Sequence, residues 1–164
     1  MAYHLEEHWV ESEPPTRRKD LTAPPGARVV NCGPPAEACP GVPEIPRQTV
    51  FYALTGEPEL TTSDFEVDSA RATFDRSSGA PVVHVTLTGE GQARFRTLTR
   101  RMARVGQRQR RHQQLALVVD DRLVSFPTID YQLTPNGIDS RVIEITGVGS
   151  PTETEEIAKR LRGN

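Results

Sequence analysis

Aromatic residues and lysine are scarce in this chain. Phe, Trp and Tyr together supply 5% of its 164 residues, and Lys19 and Lys159 are the only lysines. With so few large rings the core can be real but modest. Residues 96–125 hold no aromatic at all, which counts against the base-stacking surfaces that read single-stranded RNA. Long apolar runs are missing too. None approaches the ~20 residues that a membrane-crossing helix needs, and no basic-then-apolar leader opens the chain. The expectation is a soluble piece, one that can still be cut from a membrane protein. Catalytic signatures are absent as well: no serine sits in a nucleophile-elbow pattern, and no glycine-rich phosphate loop occurs. Without a convergent constellation of reactive groups, neither an enzymatic activity nor a cofactor is expected.

The two cysteines, Cys32 and Cys39, have six residues between them, Gly33, Pro34 and Pro35 among these. No histidine flanks them, so a structural zinc site lacks its ligands. The spacing is not that of a CxxC redox pair. A local disulfide is a better reading than two free thiols, and such loops belong to oxidising compartments. Closing so short a loop contributes only ~2–3 kcal/mol in the chain-entropy picture. Its message is location, outside the cytoplasm.

Proline is abundant, with 14 in all. Nine of them fall in residues 1–48, which read as a loop-rich arm pinned by the disulfide, with a short ordered element within 2–10. Residues 49–164 read as the folded domain. Strands are expected at 49–54, 65–74 with a bulge near Ser69, and 81–87. Thr88 can cap a helix whose buried face is Phe95, Leu98, Met102 and Val105, with Gly106 ending it. Residues 115–119 and 122–124 form a strand–turn–strand, and 140–146 another strand. Ser150 to Glu153 is a capping box with Pro151 at the first helical position, and Ile157, Ala158 and Leu161 form the buried stripe. The predicted class is α+β: a mainly antiparallel sheet with two helices on one face, a ferredoxin-like variant, behind a proline-rich N-terminal arm.

Net charge is −2, so the molecule as a whole is no polyanion binder. Locally the picture differs. Residues 94–112 carry eight arginines and no acid. Arg96, Arg100, Arg104 and Arg108 are its expected basic surface, able to meet anionic lipid or phosphate, although a solvated helix face is the blander reading. Asp120 and Asp121 are adjacent in a two-residue turn and so point to different sides, which makes them a hairpin bend and not an acid–base pair. His4 and His8 share the i, i+4 spacing of zinc-binding histidines, but Leu5 stands where the metalloprotease motif has glutamate, and no third ligand is apparent. His84 lies within a strand and reads as a sheet residue.

Four stretches in order resemble the first extracytoplasmic domain of SecD, or of the fused SecDF protein. They are 51–65 (tyrosine, leucine, then a threonine-led acidic turn), 81–91 with Phe95 and Leu98 (a strand into a small-Glu-Gly helix start), 115–129 (apolar run, turn, Val-x-Ser-x-Pro-x-Ile register) and 150–163 (the terminal helix). Two positions depart from the family pattern. Asp121 replaces its usual turn glycine, and Phe126 stands where a small residue is commoner. The resemblance implies a non-enzymatic head that holds emerging, unfolded preprotein outside the membrane during proton-driven export. It implies SecF and the SecYEG translocon as partners through parts of a longer protein, with no nucleic acid. Phe126, Pro127, Ile129 and Tyr131, just past the hairpin, are the candidate preprotein contacts, where apolar side chains continue after strand hydrogen bonding lapses, with plugging of the sheet's end as the blander reading.

Overall fold

A computed structural model describes residues 1–5, 13–34, 36 and 38–163, with the side chains of His4 and Leu5 left out. The described residues form nine strands, two helices and two single 3-10 turns. The strands are β1 (Ala2–Leu5), β2 (Arg28–Cys32), β3 (Val50–Leu54), β4 (Phe65–Phe74), β5 (Pro81–Leu87), β6 (Gln113–Val119), β7 (Arg122–Ser125), β8 (Thr128–Ile129) and β9 (Val142–Ile145). The helices are α1 (Gly89–Gln109) and α2 (Pro151–Leu161). The α+β class is therefore as the sequence predicts. The single sheet is not: the strands divide between two. The larger runs β1-β6-β7-β2-β3, with β8 also on β6, and the smaller runs β4-β5-β9. All pairs are antiparallel except β2 with β7.

β6 explains the architecture. Leu115 and Leu117 enter one core cluster, Ala116 and Val118 another. This is the period-two alternation of a strand buried on both faces. The first cluster takes Phe95, Leu98 and Met102 from α1, Ile157 and Ala158 from α2, and Val83, Val85, Ile143 and Ile145 from the small sheet. No helical residue enters the second cluster, so both helices lie on one side of the large sheet. The second cluster is built by the N-terminal region: Tyr3, Val30, Cys32, Cys39, Val50, Tyr52 and Leu54 against Ala116, Val118 and Leu123. The proline-rich arm is thus packed down, and it supplies two strands. Cys32 and Cys39 are disulfide-bonded and almost fully buried. Tyr52 donates its hydroxyl proton to the Pro40 carbonyl at 2.6 Å, and burial pushes its phenol pKa above the usual range. That bond ties the disulfide loop to β3.

Local signals hold where they rest on caps and turns. Thr88 accepts from the Gly91 amide at 3.0 Å, and Ser150 and Glu153 form the capping box of α2. The β4 bulge falls between Glu66 and Arg71, where the Ser69 hydroxyl accepts the Thr86 amide at 2.7 Å. Gly106 does not end α1. The helix runs on to Gln109 and closes with Arg110 in the left-handed region. A Cβ on Gly106 would lie 2.6 Å from the Arg111 carbonyl oxygen and 3.2 Å from the Tyr131 ring, so the glycine is there for close packing and not for termination.

The β4–β5 loop turns on one carboxylate. Oδ1 of Asp75 accepts from the amides of Ser77 and Ser78, at 3.1 and 2.7 Å, and from both hydroxyls. The serine hydroxyls, and after them the backbone amides, hold its pKa well below the usual carboxylate range. A depressed folded-state pKa means the carboxylate favours the folded loop above the ordinary aspartate value of about 3.9 and loses that effect as pH falls below it. The expected result is that Ser77 and Ser78 amide shifts stay constant above about pH 4 and move only in stronger acid. Asp75→Asn should show the displaced shifts at every pH, and a normal carboxyl titration at Asp75 would refute the assignment.

Candidate functional site

Asp120 and Asp121 both adopt left-handed backbone, with φ of 49° and 61°, and form a type I′ turn between Val119 and Arg122. Their side chains diverge. Asp120 faces Arg160 of α2 at 3.5 Å, and Asp121 accepts from Arg28 Nε of β2 at 2.7 Å. Each carboxylate is thus engaged by an arginine from a different element. Asn31 donates its amide proton to the Asp121 carbonyl at 2.9 Å. The turn is therefore the dock for β2, which engages both the carboxylate and the carbonyl of Asp121.

Phe126, Pro127, Ile129 and Tyr131 do not converge on one exposed surface. Ile129 is 3% exposed and belongs to the first core cluster. Phe126 is half-buried against the second. The Pro127 carbonyl accepts the Leu115 amide at 3.0 Å. Tyr131 packs on Gly106 and beside His112, with ring centroids 5.4 Å apart. The reason is that strand bonding does not lapse after β7: β8 resumes pairing with Gln113 and Gln114. These residues close the end of the sheet.

A more open apolar feature lies between the two sheets. It is a small cleft of about 50 Å³, walled by Phe65 and Val67 of β4, Ile143 and Ile145 of β9, and Val119 and Val124 of the large sheet. β9 is also an edge strand, paired among the described residues only with β5. Leu87 donates to the Arg141 carbonyl at 2.7 Å, so by antiparallel alternation Ile143 and Ile145 face β5 while Glu144 and Thr146 turn their backbone groups outward. An apolar slot beside a free strand edge is the combination that accepts an extended chain with little regard for its sequence. Sequence reading missed it because the two walls meet only through pairings invisible in local patterns. The alternation at 141–146 was its one visible trace. A larger cavity of about 280 Å³ lies under Val42, Pro43 and Ile45, but its wall ends at Glu13, next to residues outside the description.

The arginines of α1 fall into two groups. Arg94, Arg96 and Arg101 meet Asp64, Asp139 and Glu59. Arg100, Arg104 and Arg108 are exposed, and no acid pairs with them among the described residues. His84 Nε2 lies 2.7 Å from Glu144 on the outer face of the small sheet. Among the described residues no three potential ligands gather as a metal site, and the His4–His8 pair lies outside the side chains described. None of the described helices is long and apolar enough to cross a membrane.

The family model of the SecDF P1 head subdomain matches residues 42–164. The chain belongs to this family. SecDF, the protein translocase subunit of Thermus thermophilus, is 38% identical over 119 residues, which cover 73% of this chain and 14% of that protein. A solved SecDF, described as a membrane component that enhances protein export, superposes with a TM-score of 0.53 at 34% identity, over 66% of this chain and 42% of its own. SecDF in a super-membrane-facing form gives the same score and identity over 13% of its chain. This chain therefore spans a small part of the full SecDF proteins it resembles. The match to the P1 head begins after β1, β2 and the disulfide, so those features lie before the matched region.

Proposed function

We propose that this SecDF P1 head holds an extended, unfolded segment of exported polypeptide in the cleft between its sheets, by adding it as a strand along β9. The observation that carries the reading is the coincidence of an apolar slot and an outward-facing strand edge on the same element. Main-chain hydrogen bonds supply affinity without sequence choice, and the slot takes alternate side chains. The role is one of binding, without catalysis, on the outer side of the membrane, in keeping with the buried disulfide. Contacts with SecF and SecYEG, and the proton-driven step of export, are assigned to segments of a longer protein.

The test is an amide NMR titration with an unfolded, export-competent polypeptide at low and moderate salt. Salt-tolerant shifts should gather at Phe65, Val67, Val119, Val124 and residues 143–146. Thr146→Pro removes an outward N–H without breaking the β5–β9 ladder. It should weaken binding about tenfold, the order expected for one lost backbone hydrogen bond, with thermal unfolding unchanged. Shifts confined to residues 94–111 that vanish with salt would overturn the cleft in favour of a charge-driven contact.

A further inference from the structure

The C-terminal half of α1 carries an exposed stripe of one sign. Arg100, Arg104 and Arg108 repeat every four residues, so they form a single stripe along the helix about 12 Å long. Like charges at this spacing repel and do nothing for the helix. Attraction to the negative helix C-terminus accounts for Arg108 in the last turn, but its reach ends there and does not extend to Arg100 or Arg104. Neighbouring arginines are neutralised by acids; these three are not, among the described residues. The fold thus leaves these three exposed charges unpaired among the described residues.

We infer that this arginine face docks the head on an anionic phospholipid surface. Charge complementarity selects an extended anionic partner, and the chain's solved relative is described as a membrane component. The absence of aromatics from residues 96–125 removes the stacking groups that single-stranded nucleic acid would use. With the molecule carrying a net −2, this face is drawn to an anionic bilayer and the rest is repelled, so the contact fixes orientation as well as proximity. No residue of α1 lines the cleft, so the docked head keeps that slot open. The inference stands independently of polypeptide holding.

The experiment is co-sedimentation of the 164-residue chain with vesicles of phosphatidylglycerol and phosphatidylcholine, against phosphatidylcholine alone. Binding is expected to the mixed vesicles only, and to be lost near ~0.5 M salt, where screening reaches within a few ångströms. Arg100→Glu, Arg104→Glu and Arg108→Glu together should reduce partitioning by at least about tenfold. A control carrying Arg17→Glu, Arg18→Glu and Lys19→Glu changes net charge equally on an exposed 3-10 turn and should bind as the parent does. If the triple glutamate variant loses helix signal, the glutamine version replaces it. Equal binding to neutral vesicles, equal loss in both variants, or preference for a single-stranded oligonucleotide over mixed vesicles at the same salt would each overturn the inference.

Discussion

Gly91→Ala is expected to destabilise the head by about 3 kcal/mol or more, the range of overpacking against atoms that cannot yield. Helix propensity argues the other way, since alanine in place of glycine contributes about 1 kcal/mol within a helix. Geometry decides the sign. A Cβ at Gly91 would stand 2.0 Å from the Asp64 carbonyl oxygen and 2.8 Å from its carbon. Those are backbone atoms held by a second set of bonds: the Thr88 amide donates to that same carbonyl at 2.9 Å, and the buried Asp64 carboxylate caps Thr61 at 2.8 Å. To admit the methyl group, the start of α1 must part from the 3-10 turn that leads into β4. A drop in melting temperature of roughly 6–12 °C is the corresponding shift for a domain of this size. An unchanged or raised melting temperature would sink this account of Gly91.

Removing the disulfide should have the next largest effect. Cys32→Ala with Cys39→Ala is expected to cost ~2–3 kcal/mol from the freed loop alone, with a further loss from two buried sulfur atoms, each side chain being almost fully covered. The damage should be local in kind. The second core cluster contains both cysteines and no helical residue, so hydrogen-exchange protection is expected to fall in β2 and β3 first and to persist in α1, α2 and β5. Uniform loss across all elements would show instead that the two clusters unfold as one unit.

The sequence was legible where structure is local. Thr88, Ser150 and Glu153 announce helix starts because a cap is a contact across three residues. Ser69 announces a bulge because the alternation of β4 slips there. Asp120 and Asp121 read correctly as a bend, since adjacent side chains diverge whatever surrounds them. The failures are all long-range. β1 pairs with residues 114–117 and β2 runs parallel to β7, and nothing within the proline-rich arm signals either partner. Gly106 looked like a helix end because glycine usually is one, and only Tyr131, far along the chain, shows that it admits a ring instead. The cleft was hidden for the same reason: Val119 and Ile143 become neighbours only through the two-sheet arrangement. Residues 126–131 leave both free surface and a plug of the sheet's end open to a sequence reading, because the short β8, two residues long, gives too little pattern to decide.

The two-faced burial of β6 also dictates an order of assembly. The hairpins β4–β5 and β6–β7 pair near neighbours in the chain and can form early. The β1 strand must wait for a partner more than a hundred residues downstream, and closing such a separation is slow before contacts reward it. A slip of one residue in the pairing of β1 on β6 would turn Ala2 and Tyr3 to the wrong faces and misfill both cores at once. The last strand to join is thus also the one whose register is checked twice.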